Sequence, residues 1–163
     1  MYRLLAGLLF LGLLSGLGGH PRVPEVPVAT DLRADGRLAA QRGLVILLEV
    51  AATDCGYCVR LEADFLGPML VSGDYRDRVL FHKINVDDGS SLIGFDGERV
   101  DADAFAHGYG VRLTPTLLFL GPDGRELAPR MVGLTTPDFY GAYLDQSIDA
   151  ARQALAELPK NRQ

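Results

Sequence analysis

At 163 residues, 48% of them hydrophobic, the chain is long enough to bury a real core and favours one domain over two. Its 16 basic residues against 21 acidic ones leave a net charge of −5. That balance argues against nonspecific nucleic-acid binding, which needs Lys and Arg to neutralise phosphates, and no basic stripe with interleaved aromatics occurs.

The first nineteen residues read as a leader. Arg3 supplies one positive charge, Leu4 to Leu17 (LLAGLLFLGLLSGL) is uncharged and apolar, and Gly16, Gly18 and Gly19 give a small-residue exit. A basic start, an apolar run of roughly 7–15 residues and a small-residue exit describe a secretory signal peptide, with cleavage expected after Gly18 or Gly19. The run falls short of the roughly 20 apolar residues that span a bilayer comfortably. An uncleaved membrane anchor is the alternative, since no Ala-x-Ala site is present. Removing the leader removes Arg3 and no acid, leaving 15 basic and 21 acidic residues. The expected organisation is a leader over 1–19, an extended linker over 20–30 with prolines at 21, 24 and 27, and one domain over 31–163.

Asp31 to Gln41 predicts a first helix, capped by Asp31, with Leu32, Leu38 and Ala39 on one side and Gly36 as a weak point. Leu44 to Val50 (LVILLEV) is an apolar run broken only by Glu49, the pattern of a strand buried on both faces. Cys58 to Leu70 carries Leu61, Phe65, Leu66 and Met69 at helical spacing, and Gly67-Pro68 should kink or end that helix. Val79 to Val86 alternates as a second strand. Residues 87–103 are acidic and glycine-rich and predict a long solvated loop with room for a small hairpin. Helix is expected over Asp101 to Tyr109 and strand over Thr116 to Leu120. A Gly121-Pro122-Asp123-Gly124 turn then leads to an antiparallel strand over Glu126 to Val132, where Pro129 forces an edge or a bulge. A last helix is capped by Thr135 or Thr136, takes Pro137 in its first turn and runs to about Leu158. The order implies an α/β fold with a mixed sheet and helices on both faces.

The chain has only two cysteines, in Cys55-Gly56-Tyr57-Cys58, directly after a buried strand and at the start of a helix. A helix N-terminus offers unpaired N–H groups and partial positive charge, which stabilise a thiolate, so Cys55 should ionise below the free value of about 8.5. The thiolate attacks disulfides, and Cys58, one turn on, is placed to resolve the mixed disulfide. A structural disulfide is the competing reading, although so short a loop contributes little stability. A metal site would need further ligands, and His82 and His107 are the mature candidates apart from His20. The oxidoreductase reading requires no metal and no cofactor.

With LVILLEVAATDCGYC, a following strand, Leu113-Thr114-Pro115-Thr116, GPDGRE and a closing helix in order, residues 41–158 resemble the thioredoxin superfamily. The resemblance implies a thioredoxin-like fold, a central mixed β-sheet flanked by helices. It implies a cis Thr114–Pro115 bond beside the cysteines, with the backbone of Thr114 opposite Cys55 and open to pair with a partner peptide, while Gly56 lets that peptide approach and Tyr57 borders it. It also implies that Glu49 is a buried carboxylate that accepts the Cys58 proton; the alternative is an outward-facing Glu at a strand end. Protein thiols and disulfides are the implied partners.

The departures matter. Thioredoxins proper usually have Trp-Cys-Gly-Pro-Cys, whereas here Asp54 precedes Cys55 and Tyr57 replaces the proline. The Gly-Tyr pair, with Thr before the cis-proline, is similar to periplasmic disulfide isomerases, but residues 21–41 are too few for the dimerisation domain those carry. The chain looks more like a single-domain periplasmic or secreted thioredoxin-like reductase, recharged by a membrane electron donor. A disulfide isomerase and a non-catalytic metal-carrier or partner-binding module are the alternatives.

Overall fold

A computed structural model describes residues 24–158; the expected leader and the first residues of the linker lie outside them. Helix α1 (Leu32–Arg42) leads into strand β1 (Val45–Ala51), helix α2 (Gly56–Leu61), a single π-helical turn (Glu62–Leu66) and helix α3 (Gly67–Ser72). Strand β2 (Val79–Asn85), the short strands β3 (Ser91–Ile93) and β4 (Arg99–Asp101), helix α4 (Ala102–Gly108), strands β5 (Thr116–Leu120) and β6 (Glu126–Val132) and helix α5 (Pro137–Glu157) follow.

The main sheet has the order β2-β1-β5-β6, with β1 parallel to β2 and antiparallel to β5. Every residue of β1 is buried, as its unbroken apolar run requires of a strand covered on both faces. Alternation splits the core in two. Val45 and Leu47 point with Leu117 and Phe119 toward Leu61 and Leu66 and toward Tyr140, Leu144 and Ile148 of α5. Ile46, Leu48 and Val50 point with Leu118 and Leu120 toward Leu32 and Ala39 of α1 and Ala102 and Ala106 of α4. Glu49 has the parity of the first set. It therefore faces the layer that carries the cysteine helix and α5.

Several local expectations shift. Asp31 caps α1 as expected, accepting from the Ala34 N–H at 2.8 Å, but Leu38 is exposed and Gly36 takes its place in the buried stripe. A Cβ at Gly36 would lie 2.3 Å from the Pro122 carbonyl oxygen, so glycine lets α1 press against the Gly121–Gly124 turn. Gly36→Ala is expected to destabilise the fold by about 1–3 kcal/mol in chemical denaturation. An isolated helix would gain about 1 kcal/mol from the same change, so a neutral or stabilising result would contradict the close packing.

The helix after Cys58 neither ends nor sharply breaks at Pro68. Proline lacks an N–H and its ring collides with the carbonyl four residues back, and the π turn just before it absorbs the misfit, with the Gly67 N–H reaching the Glu62 carbonyl. Residues 26–29 are extended, yet they are not a free spacer. The Ala29 N–H donates to the Lys83 carbonyl and the Lys83 N–H to the Pro27 carbonyl, both at 2.8 Å, because β2 is the sheet edge and needs partners. Val26 and Ala29 are thereby buried. The acidic loop holds the small hairpin β3–β4. Pro129 is exposed on edge strand β6, whose pairing with β5 shifts register beside it. Thr136 precedes α5 but makes no side-chain cap; its φ is 45°.

Candidate active site

Strand β1 ends at Ala51, and four residues on Cys55 occupies the N-cap of α2 in extended backbone. The Cys58 N–H donates to the Cys55 carbonyl at 3.0 Å and points at its Sγ at 3.1 Å; the Val59 N–H donates to the same carbonyl. One helix amide, that of Cys58, thus approaches the Cys55 sulfur, and the N-cap position sets that sulfur at the positive end of the helix. The two cysteines are joined in a disulfide with their Cα atoms 5.2 Å apart. Their exposures differ: Cys55 is half-buried at the surface and Cys58 is 2% exposed. Only the first sulfur is presented to a large partner. Gly56 and Tyr57 lie exposed beside it, Tyr57 at 63%.

The segment between β1 and α2 is held from below. Asp87 accepts from the Thr53 N–H at 2.8 Å and from its hydroxyl at 2.9 Å. The sequence reading placed Asp87 in a solvated loop. The signal that finds it is register: Ala51 pairs with Asn85 in adjacent parallel strands, so the residues two positions further on, Thr53 and Asp87, emerge side by side.

The Thr114–Pro115 bond is cis. Pro115 is buried and its carbonyl accepts from the Gly133 N–H at 2.7 Å, while the Thr116 hydroxyl donates to the Leu113 carbonyl, also at 2.7 Å. These bonds fix the turn on both sides of Thr114. The Thr114 backbone itself makes no hydrogen bond among the described residues. Thr114 and the exposed Leu113 border a cleft floored by Val50, Val86 and Val111.

Glu49 is fully buried, and neither of its carboxyl oxygens has a hydrogen-bond partner among the described residues. Burial pushes its carboxyl up to about 8, the charge of Glu62 adds to the rise, and Lys83 partly opposes it. The cross-strand register puts Lys83 directly beside Glu49. Its ammonium nevertheless turns to Glu62 on the π turn, at 2.8 and 3.0 Å from the two oxygens. Lys83 is therefore already neutralised, and Glu49 is left protonated in the range where carboxylates are ordinarily ionised. Sequence reasoning missed both groups. Glu62 stands one helical turn past Cys58, the i,i+4 spacing that places two side chains on one face, and that spacing was the available sign.

The two histidines considered as metal ligands lie beside carboxylates. His82 Nε2 is 3.3 Å from Asp35 without hydrogen-bond geometry, and His107 Nε2 is 3.4 Å from Asp103. Among the described residues no three His, Cys, Asp or Glu side chains gather closely enough to hold a metal ion.

Known proteins similar to this chain share its fold. Residues 32–148 match the model of the thioredoxin-like domain family. The chain is 28% identical to thioredoxin 2 of Chlorobaculum tepidum over 106 residues, covering 64% of this chain and 79% of that one. Among solved structures, a thioredoxin from Nicotiana alata superposes with a TM-score of 0.50 at 25% identity, over 76% of this chain and 96% of that one. The Malassezia sympodialis thioredoxin gives 0.53 at 20% identity, over 82% and 99%. Mitochondrial thioredoxin 3 from Saccharomyces cerevisiae gives 0.51 at 22%, over 76% and 93%. The last two speak to the fold alone. The chain belongs to the thioredoxin-like domain family and is a thiol–disulfide oxidoreductase whose Cys-x-x-Cys pair is Cys55 and Cys58.

Proposed function

We propose that this oxidoreductase acts as a reductase of disulfides in exported proteins, in the periplasm or outside the cell. Cys55, as thiolate, attacks one sulfur of a partner disulfide, forming a mixed disulfide and releasing the other sulfur as a thiolate. Cys58 then gives its proton to Glu49 in the fraction of molecules whose carboxyl is ionised, which a group titrating at about 8 retains at neutral pH, and attacks Cys55 Sγ, which frees the second partner sulfur as a thiolate. The partner gains two electrons, and the Cys55–Cys58 pair loses them as it becomes a disulfide. Thr114, with its backbone unpaired beside the cis-proline, takes the partner peptide as an added strand. Pro115 holds that turn, and Gly56 and Tyr57 border the bound chain.

The observation that carries the direction is Asp54. It is exposed and directly precedes Cys55, so it adds like charge in the neighbourhood of the forming thiolate. Thioredoxin-fold proteins become strong oxidants when their reduced form is stabilised. Negative charge beside Cys55 works the other way and makes the dithiol the better electron donor. The apolar leader over 1–19 supports export. In an oxidising compartment the pair needs a dithiol donor to recharge it, and a membrane protein that passes electrons across by the same exchange chemistry fits that need.

Equilibrating the full chain against dithiothreitol or glutathione buffers measures the direction. A potential near that of thioredoxin, about −270 mV, is expected. A value near the roughly −120 mV of a dedicated oxidase would overturn the reductase reading. Fractionation of cells producing the full chain tests export; recovery from the cytoplasm alone would refute it.

A further inference from the structure

Glu62 gathers two donors on the π turn. Its Oε1 and Oε2 lie 2.8 and 3.0 Å from Lys83 Nζ, and Oε2 also accepts from the Val26 N–H at 3.4 Å. Both side chains are largely buried, Glu62 at 17% exposure and Lys83 at 15%. The lysine is fixed through its backbone as well, since its N–H and carbonyl bond to Pro27 and Ala29. On its other side Lys83 is the cross-strand partner of Glu49. The two side chains leave the sheet on one face, that of Leu47, Val79 and Phe81.

A lysine so placed has two carboxylates within its reach along the sheet, and it bonds only one of them. Glu49 is fully buried with neither oxygen bonded, and the elements packed around it supply no other cation among the described residues. Strand β5 opposes it with apolar Leu117, α2 carries Cys58 in the disulfide, and α5 brings Tyr140 into the same layer, where burial keeps its hydroxyl a neutral phenol. The ammonium goes to Glu62, which adds a second negative charge to the neighbourhood. A buried carboxyl left without a cation, with another acid close by, keeps its proton.

We propose that Glu62 is a positioning residue: by holding the Lys83 ammonium it keeps that charge off Glu49 and leaves Glu49 a proton donor for the opening of the Cys55–Cys58 disulfide. In that step a thiolate of the dithiol donor attacks Cys55 Sγ and the S–S bond breaks. Cys58 leaves with the electron pair and takes the Glu49 proton. The donor's second thiolate then frees Cys55, and the donor ends as a disulfide, oxidised by two electrons. The same carboxyl accepts a proton when Cys58 resolves a partner, so Glu62 sets the pH below which Glu49 donates and above which it accepts. The proton-transfer half of the proposal rests on the role given to Glu49 above. The half that concerns the lysine does not.

Glu62→Gln keeps the length of the side chain and an acceptor for the Val26 N–H, and near-UV circular dichroism checks that it folds. The probe is a carbon-13 NMR titration of the Glu49 carboxyl in the oxidised full chain, assigned through Glu49→Gln. The midpoint should fall by about one pH unit or more as the freed ammonium turns to Glu49. Adding Lys83→Met should undo that fall, which separates the lysine from the simple loss of the Glu62 charge. A midpoint unmoved in Glu62→Gln, or still low in the double variant, overturns the proposal and leaves the role of Glu49 standing. Kinetics test the other half. When the reduced protein meets an aromatic nitrobenzoate disulfide, the first coloured thiolate released reports attack by Cys55 and the second reports resolution by Cys58. The pH profile of the second release should move down with the carboxyl midpoint. So should the profile for opening of the disulfide by dithiothreitol, counted per donor thiolate. A lowered midpoint with both profiles unmoved overturns the proton-transfer half, and the role of Glu49 falls with it.

Discussion

Cys55→Ser is expected to reduce catalysed disulfide reduction to the background of the reductant alone, a loss on the order of 10³-fold or more. Cys58→Ser is expected to fail differently. Its Cys55 still attacks, so the protein accumulates as a mixed disulfide with its partner, visible on a non-reducing gel and cleared by dithiothreitol. The asymmetry follows from exposure: Cys55 stands at the surface at the start of α2, whereas Cys58 is 2% exposed and reaches Cys55 more readily than it reaches solvent. Neither substitution should unfold the protein. The disulfide closes a loop of only a few residues, which contributes about 2 kcal/mol in the chain-entropy account. Equal trapping through either single variant would mean that both sulfurs are accessible, and the assignment of nucleophile and resolving thiol would fall. Insulin with dithiothreitol supplies the turnover assay, and the trapped adduct identifies the natural partner.

How far the sequence alone reaches depends on the range of the interaction. Strand β1 was legible because a strand covered on both faces must be apolar throughout, and LVILLEV is a local statement of that. The cysteine pair and the Pro115 turn were legible because their chemistry is packed into a few residues. The Glu62–Lys83 ion pair was not. It joins residues 21 positions apart and exists only once β1 and β2 are in register with the π turn above them. Gly36 was misjudged for a related reason. Propensity counts it as a flaw in a helix, while packing makes its missing Cβ the feature that admits the 121–124 turn. The acidic 87–103 segment read as uniformly solvated, yet its first residue holds Thr53. Composition averages over a segment and cannot single out one carboxylate with a structural partner. Glu49 sits between these cases. Its presence in an apolar strand announced something unusual, and its surroundings, above all Glu62 and Lys83, came only with the fold.

Those surroundings make Glu49 a liability for stability that rises with pH. In the unfolded chain its carboxyl ionises near its ordinary value of 4.5; in the fold it does so at about 8. Between those values the folded state holds a proton that the unfolded state has released. Stability contributed by this group therefore falls as pH rises from about 4.5 to about 8 and is lost above that window. A rise of this size corresponds to a penalty on the order of 5 kcal/mol at alkaline pH. Glu49→Gln keeps the size of the side chain and cannot ionise. Denaturation of the oxidised protein by urea should show parent and variant close together at pH 5, with the variant more stable by several kcal/mol at pH 9. Parallel pH profiles would mean that Glu49 ionises normally and reaches solvent in a way its burial denies. The same substitution should slow the attack of Cys58 by about 10²-fold, since a positioned general base contributes on that scale. A group that destabilises the fold at the pH where it becomes a base, and whose loss slows one step of the reaction, is held for chemistry and not for packing. If Glu49→Gln gains stability with no loss in resolution, the carboxylate has no part in the proton transfer, and the Cys58 proton must leave by another route.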